Sequence, residues 1–474
     1  MNILPITSHN VKSNYGKALS FGSAKLEDLE NPNTANTVVR AANGRIGNNY
    51  AWLEFLAHYV DDGSEAVEAA QKAMENVNVF AFNMGDFGKK GKPLDEKDYN
   101  AIWRALSNDS VRGKLPRYID HWFTQSEDGD IVLHMKSNKT GYEGSYLITS
   151  GRDPIDYSDF NPEMFVDPTG KVLDSAKARE LKAASGLAPY GVVGITAPMK
   201  EKTNPDDSNM PYGEKNAPMV NPDVTDRTSE LSQKMFEAIL AAGGVISNAS
   251  CTTNSAGAVV DALKQKFGII GVVLKTIHAG TNTQNLLDNK DASADAKKRQ
   301  SLNNIVITTT GASQALKEVV PGMNDGKVSL IGSSYRVPTG DGSITSLVIR
   351  FAEGTVTNTK EVVDYLKAYA DDLRKKGSYA FRMTTEEEKD YTALDVVGEP
   401  YGGVVITNTI KVDPDLPDQV TLDIAYDNEG GYSQRFAATM QKVGKWIAAG
   451  KAENKYAARQ INKARVGKML SRAV

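Results

Sequence analysis

The chain has one cysteine, Cys251, among 474 residues. A single thiol excludes an intramolecular disulfide and agrees with a reducing compartment. Histidine is also scarce, with five in all, and no Cys/His spacing suggests a metal site. No G-x-S-x-G elbow is present, so a serine hydrolase of that type finds no support. Apolar runs such as "FGIIGVVL" fall far short of the ~20 residues that a bilayer span requires. The start, "MNILPITSHNVKSNYGKALSFGSA", lacks a basic segment followed by a long apolar one, and is read as carrying no secretory signal. Charge is nearly balanced, 55 Lys+Arg against 59 Asp+Glu for a net −4, which gives no reason to expect nucleic acid or an anionic membrane as partner. With 40% hydrophobic and 24% charged residues, the composition is that of an ordinary globular protein. The expectation is a soluble, cytoplasmic chain.

Residues 1–36 are polar and end in the turn-rich "ENPNTANT", a leader without an evident core face. "TVVRAANGRIGNNYAWLEFLAHYV" then reads as a β-branched strand, a glycine-bearing turn and a helix. "VNVFAFN" is a second strand and "GDIVLHM" a third. "EMFVDPTG", the helix-like "KVLDSAKARELKAAS" and "YGVVGITAP" continue an alternation that implies a parallel sheet with crossover helices. Two insertions interrupt it: a helix within about 58–75, "DDGSEAVEAAQKAME", and a proline-rich loop at 200–222. After Cys251 the pattern changes to "GVVLKTIHA", "KVSLIGSSYRV", "SITSLVIRFA" and "QVTLDIAYD". These strands have the spacing of an antiparallel sheet, with a helix over 359–375 between them.

Cys251 lies in "ISNASCTTNSAG", among hydroxyls and amides rather than the aliphatic neighbours of a packed structural thiol. Asn254 or Ser255 can cap a helix through "AGAVVDALKQKF" that stops at Gly268. The sulfur then sits at the positive end of the helix dipole, where a thiolate is favoured and the pKa falls. The helix leads away by roughly 22 Å at 1.5 Å per residue, and "IIGVVLKTIH" covers a similar or greater distance back at about 3.3 Å per residue. His278 therefore returns beside Cys251. Spacing leaves two readings open: a nucleophile–base pair, or an inert cysteine with a satisfied strand-end histidine.

"SNASCTTN" followed by "TIHAGTNTQ", "TTTGASQAL", "SSYRVPT" and "YDNEGGYSQR", in that order, strongly resembles the phosphorylating glyceraldehyde-3-phosphate dehydrogenases. The resemblance is close over 245–440, loose over 37–245 and absent from the leader. It implies that Cys251 attacks the aldehyde and that His278 takes the proton and directs hydride transfer. A thioester then forms and is split by inorganic phosphate, in a step of glycolysis or gluconeogenesis. Thr281 and Arg336 match the residues that hold the phosphate of glyceraldehyde 3-phosphate, while Ser250, Thr252, Thr310 and Gly311 match those around the attacking phosphate. Arg299 fits one of the arginine positions before "NNIVITTTG"; the upstream one is held by Lys297 or Lys298, which keeps the charge without the bidentate fork. No metal is implied.

On the cofactor side the match loosens. "AANGRIGN" puts Ala42 where the first glycine of G-x-G-x-x-G belongs, while Gly44, Arg45, Ile46 and Gly47 match. Met84 stands where an acidic residue normally holds the adenosine ribose, with Asp86 two residues on. Arg152, Thr169, Thr196 and Asn428 match the family's cofactor contacts, Asn428 as the residue that orients the nicotinamide amide. The implied fold class is α/β: a Rossmann-like nucleotide-binding domain over 37–250 and an α+β catalytic domain with a mostly antiparallel sheet over 251–427. The segment 428–474 supplies a C-terminal helix packing on the first domain and a basic tail, whose Lys451, Lys455, Arg459 and Lys463 read as a solvated helix face. The resemblance further implies NAD, with NADP open, and a homotetramer in which 282–309 lines a neighbour's cofactor site. Two alternatives remain: a dehydrogenase of another phosphorylated aldehyde such as erythrose 4-phosphate, and a non-catalytic scaffold.

Overall fold

The computed structural model describes residues 30–39, 45–82, 97, 116–125, 131–148, 162–168, 170, 175–199, 219–224, 237, 239–240, 244–280, 304–453 and 455. They fall into two compact units of an α/β protein. One draws on Asn10–Thr196, Ile239–Ile246 and Ala437–Val474, the other on Ala197–Ala238 and Ser247–Phe436.

The first unit is built on strand β1 (Ala35–Val39), helix α1 (Arg45–Tyr59), helix α2 (Glu65–Met74) and strand β2 (Val77–Phe82). Strand β1 starts two residues inside the stretch read as a leader, and all five of its residues are buried. In α2, Ser64 caps the N-terminus by accepting from the Val67 N–H, and Val67, Ala70, Ala73 and Met74 bury one face, as a 3.6-residue period dictates. Strands β3 (Ile119–Gln125), β4 (Ile131–Ser137) and β5 (Glu143–Ile148) follow. They form a separate three-stranded antiparallel sheet. The stretch "IVLHM" is therefore the centre of a meander, not the third strand of the parallel sheet. Its alternation fits either sheet, and only the pairing partner decides.

That place is taken by β6 (Met164–Asp167), which pairs with β1 in parallel; α3 (Ser175–Ala184) and β7 (Val192–Ile195) complete the crossover. With β8 (Val245–Ser247) the sheet runs β2-β1-β6-β7-β8. Every residue of β6, β7 and β8 is buried, the continuous apolar run expected of a sheet covered on both faces.

The second unit opens with helix α4 (Cys251–Phe267) and strand β9 (Ile269–His278). Gly268 joins them at φ 70°, a conformation that glycine adopts without a Cβ penalty. Then come β10 (Val306–Thr308), α5 (Ala312–Val319), β11 (Ser329–Arg336), β12 (Ser343–Phe351), α6 (Thr359–Lys375), β13 (Phe381–Met383), β14 (Gly403–Val405), β15 (Lys411–Val412) and β16 (Gln419–Tyr426). The sheet order is β10-β11-β9-β12-β16-β14-β13, with β15 on β16. Most pairs are antiparallel, but β9 and β11 run parallel, so that His278 and Arg336 stand in register at the ends of neighbouring strands. Leu263, Leu316, Val319 and Leu366 from the helices pack with Leu274, Leu347, Ile349 and Leu422 from the strands. Each such buried side chain contributes about 1.5–3 kcal/mol. Away from the helices, Ile305, Ile307 and Ile331 remain more than 60% exposed.

The last helix, α7 (Gly430–Ala452), contributes to both units. Within the first, Lys451 Nζ donates to the Thr34 carbonyl at 2.6 Å and pairs with the fully buried Glu163 at 3.2 Å. Lys451 is thus the half-buried cation of a buried carboxylate, contrary to its reading as part of a solvated face. Among the described residues, no helix is long and apolar enough to cross a membrane.

Candidate active site

Helix α4 begins four residues earlier than a cap at Asn254 would set it, and five earlier than one at Ser255. Ser250 is the N-cap, its Oγ accepting from the Thr253 N–H at 3.2 Å. Asn254 and Ser255 have other tasks. Asn254 Nδ2 donates to the Asn248 carbonyl at 2.7 Å while its Oδ1 accepts from Asn221, and Ser255 Oγ donates to the Thr252 carbonyl. Cys251 therefore occupies the first turn itself, beside the unpaired N–H groups of the helix start.

Strand β9 delivers His278 to that point. Its Nε2 lies 3.5 Å from the Cys251 Sγ, within reach of a sulfur hydrogen bond. Nδ1 is 2.8 Å from the Ala279 carbonyl. A carbonyl can only accept, so Nδ1 carries the proton and Nε2 presents its lone pair toward the thiol. Tyr426 closes the site beneath: its hydroxyl bonds Thr252 Oγ1 at 2.9 Å and Thr276 Oγ1 at 2.8 Å. That clamp ties the first turn of α4 to β9 and β16.

Asn428 completes the group. The Ala279 N–H donates to Ser343 Oγ at 2.9 Å, and Ser343 Oγ donates to Asn428 Oδ1 at 2.7 Å. This relay turns the Asn428 NH2 toward the site, 3.2 Å from His278 Nε2 and 3.7 Å from Cys251 Sγ. Arg336 supplies the charge. Among the described residues its guanidinium makes one hydrogen bond, to the Ala279 carbonyl at 3.3 Å, and no ion pair.

The electrostatics differ from the sequence expectation of a depressed thiol pKa. Cys251 keeps some exposed surface, yet burial of the sulfur pushes its thiol up, against the opposing pull of Asn428, Arg336 and the Thr252 N–H. Burial also lowers His278 to about 4, and the Arg336 charge acts in the same direction. At neutral pH the site holds a thiol facing a neutral imidazole, rather than a preformed thiolate–imidazolium pair. Desolvation outweighs the helix dipole here, because burial shifts reach 3–5 pKa units whereas a helix terminus contributes at most ~2 kcal/mol.

The other sequence candidates are distributed as follows. Thr310 Oγ1 accepts from the Ala312 N–H at 3.2 Å, and Gly311 is the N-cap of α5. Thr196 follows β7 and ties it to β6, donating to the Asp167 carbonyl at 3.0 Å and accepting from the Gly170 N–H at 3.1 Å. Arg45, Ile46 and Gly47 are the first residues of α1. Gly44, Met84, Asp86, Arg152, Thr169, Thr281, Arg299, Arg459 and Lys463 lie outside the described residues. Ser343, Tyr426, Asp341 and Asp427 escaped the sequence reading as site residues, although two of them stand in the quoted "YDNEGGYSQR".

Residues 250–422 match the family described as the C-terminal domain of glyceraldehyde 3-phosphate dehydrogenase, a span beginning at the cap of α4. A glyceraldehyde-3-phosphate dehydrogenase of Mycolicibacterium smegmatis is 28% identical over 351 residues, 74% of this chain and 88% of that protein. One from Mycobacterium leprae is 27% identical over 402 residues, 85% of this chain and 96% of its own. A glyceraldehyde-3-phosphate dehydrogenase 2 of Staphylococcus epidermidis is 34% identical over 205 residues, 43% and 54% of the two chains.

Proposed function

Taking as premise that the chain is a divergent member of the glyceraldehyde-3-phosphate dehydrogenase family and hence an oxidoreductase, we propose that it oxidises D-glyceraldehyde 3-phosphate to 1,3-bisphosphoglycerate with NAD and inorganic phosphate. The observation that carries this reading is the Cys251 sulfur 3.5 Å from an imidazole nitrogen whose tautomer is fixed by Ala279. In this mechanism His278 Nε2 takes the thiol proton as the sulfur bonds to the aldehyde carbon, which leaves a hemithioacetal. A thiol of raised pKa needs that base within reach, and a neutral imidazole is in the correct form to serve.

The Thr252 N–H and the Asn428 NH2 donate toward the sulfur and steady the charge that develops there. His278 returns that proton to the former aldehyde oxygen to complete the hemithioacetal and, neutral again, accepts the hydroxyl proton as the carbonyl re-forms and the thioester appears. Phosphate attacks the thioester carbon, the C–S bond breaks, and Cys251 is restored. Arg336 holds the substrate phosphate with Thr281, while Ser250, Thr252, Thr310 and Gly311 surround the attacking phosphate, with Arg299 nearby.

NAD, when bound, supplies the hydride acceptor. The residues present fit it. The first turn of α1 follows β1 closely and offers backbone N–H groups for a pyrophosphate, and Thr196 lies at the carboxyl end of β7, where open parallel sheets take their ligands. Gly44, Arg45, Ile46 and Gly47 cradle the pyrophosphate in this reading, Arg152, Thr169 and Thr196 add contacts, and Asn428 orients the nicotinamide amide. The exposed Ile305, Ile307 and Ile331 favour association of copies, a homotetramer in this proposal.

The test is absorbance at the reduced-nicotinamide band with glyceraldehyde 3-phosphate or erythrose 4-phosphate, NAD or NADP, and phosphate present or absent. Phosphate-dependent reduction of NAD by the first aldehyde is the expected result. Faster turnover of erythrose 4-phosphate, or of NADP, replaces the substrate or cofactor assignment, and no turnover with any pair refutes the catalytic reading.

A further inference from the structure

Behind Asn428 lies a pair of carboxyl groups that the proposed chemistry does not use. Asp341 is 6% exposed and Asp427 is 2% exposed. Among the described residues, neither pairs with a cation. Their acceptor capacity goes to backbone N–H groups. Asp341 Oδ1 accepts from Gly342 at 2.7 Å and from Asn428 at 3.1 Å. Asp427 Oδ1 accepts from Glu429 at 2.8 Å and Gly430 at 2.7 Å, and its Oδ2 from Gly398 at 2.9 Å. Asp341 Oδ2 is buried with no hydrogen-bond partner.

Two buried negative charges with no cation between them cannot both persist. Burial and the Asp341 charge push Asp427 up to about 7, and burial together with Glu429 raises Asp341. The surrounding charged groups do not relieve the pair. Glu429 adds negative charge from the start of α7, Arg382 beside the Gly398 loop is taken by Glu388 and Glu399, and Arg435 farther along α7 is taken by Asp223.

We propose that Asp341 and Asp427 act as a one-proton positioning pair, which grips the backbone on both sides of Asn428 and so holds the Asn428 amide against Cys251 and His278. The grip is bilateral: Asp341 binds the Asn428 N–H, and Asp427 binds the two N–H groups that follow. Loss of that one proton sets two like charges against each other and loosens the turn. The sulfur then loses a hydrogen-bond donor above neutral pH. The proposal rests on reading Cys251 and His278 as the reacting pair, but its test does not depend on turnover.

The rate of Cys251 alkylation by iodoacetamide is to be followed against pH without substrate or cofactor. Wild type should show an inflection near pH 7 in addition to the rise of the thiol itself. Asp341→Asn keeps an acceptor for the Asn428 N–H and removes the second charge, so that inflection should vanish. Asn428→Ala should also abolish it, because nothing then transmits the change to the sulfur. In parallel, infrared difference spectra should show a protonated carboxyl band that disappears between pH 5.5 and 8.5 in wild type and in Asn428→Ala, and is absent in Asp341→Asn. Superimposable alkylation profiles for wild type and Asp341→Asn would overturn the proposal even with the band present. So would absence of the band in wild type. If Asp341→Asn does not fold, the wild-type band and the Asn428→Ala profile decide alone. A chain that turns over no aldehyde but passes these tests refutes the dehydrogenase reading and leaves the pair standing.

Discussion

Replacing His278 with Asn tests the base and its electrostatics together. The side chain is 6% exposed, and burial holds its pKa at about 4 instead of 6.5. An unfolded chain protonates this imidazole as pH falls through 6.5, while the folded chain does not until about 4. The folded state therefore binds fewer protons in that window. Stability is present above pH 6.5 and is lost as pH falls toward 4. At about 1.36 kcal/mol for each tenfold in proton affinity, the full loss is on the order of 3 kcal/mol, with about 2 kcal/mol gone by pH 5. His278→Asn should remove this dependence, so the gap in unfolding midpoint between pH 7 and pH 5 should narrow in the variant.

Catalysis supplies the second arm of the same experiment. Loss of a general base lowers turnover by about 10²–10⁴, or roughly 3–5 kcal/mol of barrier. Because the imidazole stays neutral down to about pH 4, kcat/KM in wild type should hold through pH 6.5 without an acid limb there. Turnover of His278→Asn within threefold of wild type, or a wild-type acid limb at 6.5, refutes the reasoning.

Other outcomes follow from the same geometry. Iodoacetamide should inactivate the chain at Cys251 stoichiometrically, with the alkylation rate still rising above pH 8.5, since burial raises the thiol; a plateau below pH 8 would contradict this. Cys251→Ala should abolish aldehyde oxidation, measured at the nicotinamide band. Arg336→Lys keeps charge but loses the planar fork, so KM for a phosphorylated aldehyde should rise severalfold while an unphosphorylated one is turned over nearly as before. Lys451→Met should destabilise the first unit by about 3–5 kcal/mol, since Glu163 is left buried without its cation, read as a lowered denaturation midpoint.

The nearness of His278 to Cys251 was legible in the sequence because helix and strand lengths bring the strand end back beside the helix start. The cap lies four or five residues before the expected Asn254 or Ser255 for a related reason. Asn254 and Ser255 are good capping residues, but Asn221 and the Asn248 and Thr252 carbonyls claim them first. The direction of the thiol shift was illegible, since the flanking hydroxyls are local and the burial is supplied by strands far along the chain. Lys451 was misread on similar grounds: Glu163 lies 288 positions away. The carboxyl pair joins "TGDGS" to "YDNE", and neither string signals a partner. The meander β3–β5 shows the same limit, because alternation fixes which side chains face inward but not which strand lies alongside.

The parallel pairing of β9 with β11 also bears on what the chain can tolerate by way of rearrangement. Parallel neighbours cannot be joined by a tight hairpin, so the connection between His278 and Arg336 has to loop out and return. Its length is thereby uncoupled from the register that sets the imidazole beside the guanidinium. That excursion carries β10, paired with β11, and α5, whose Leu316 and Val319 are buried, so sequence can be added or removed only outside those elements while the two strand ends still meet. A single residue inserted within β11 has the opposite effect, because it turns Arg336 to the other face of the sheet. Evolution and engineering alike have room in the turns between these elements and almost none within them.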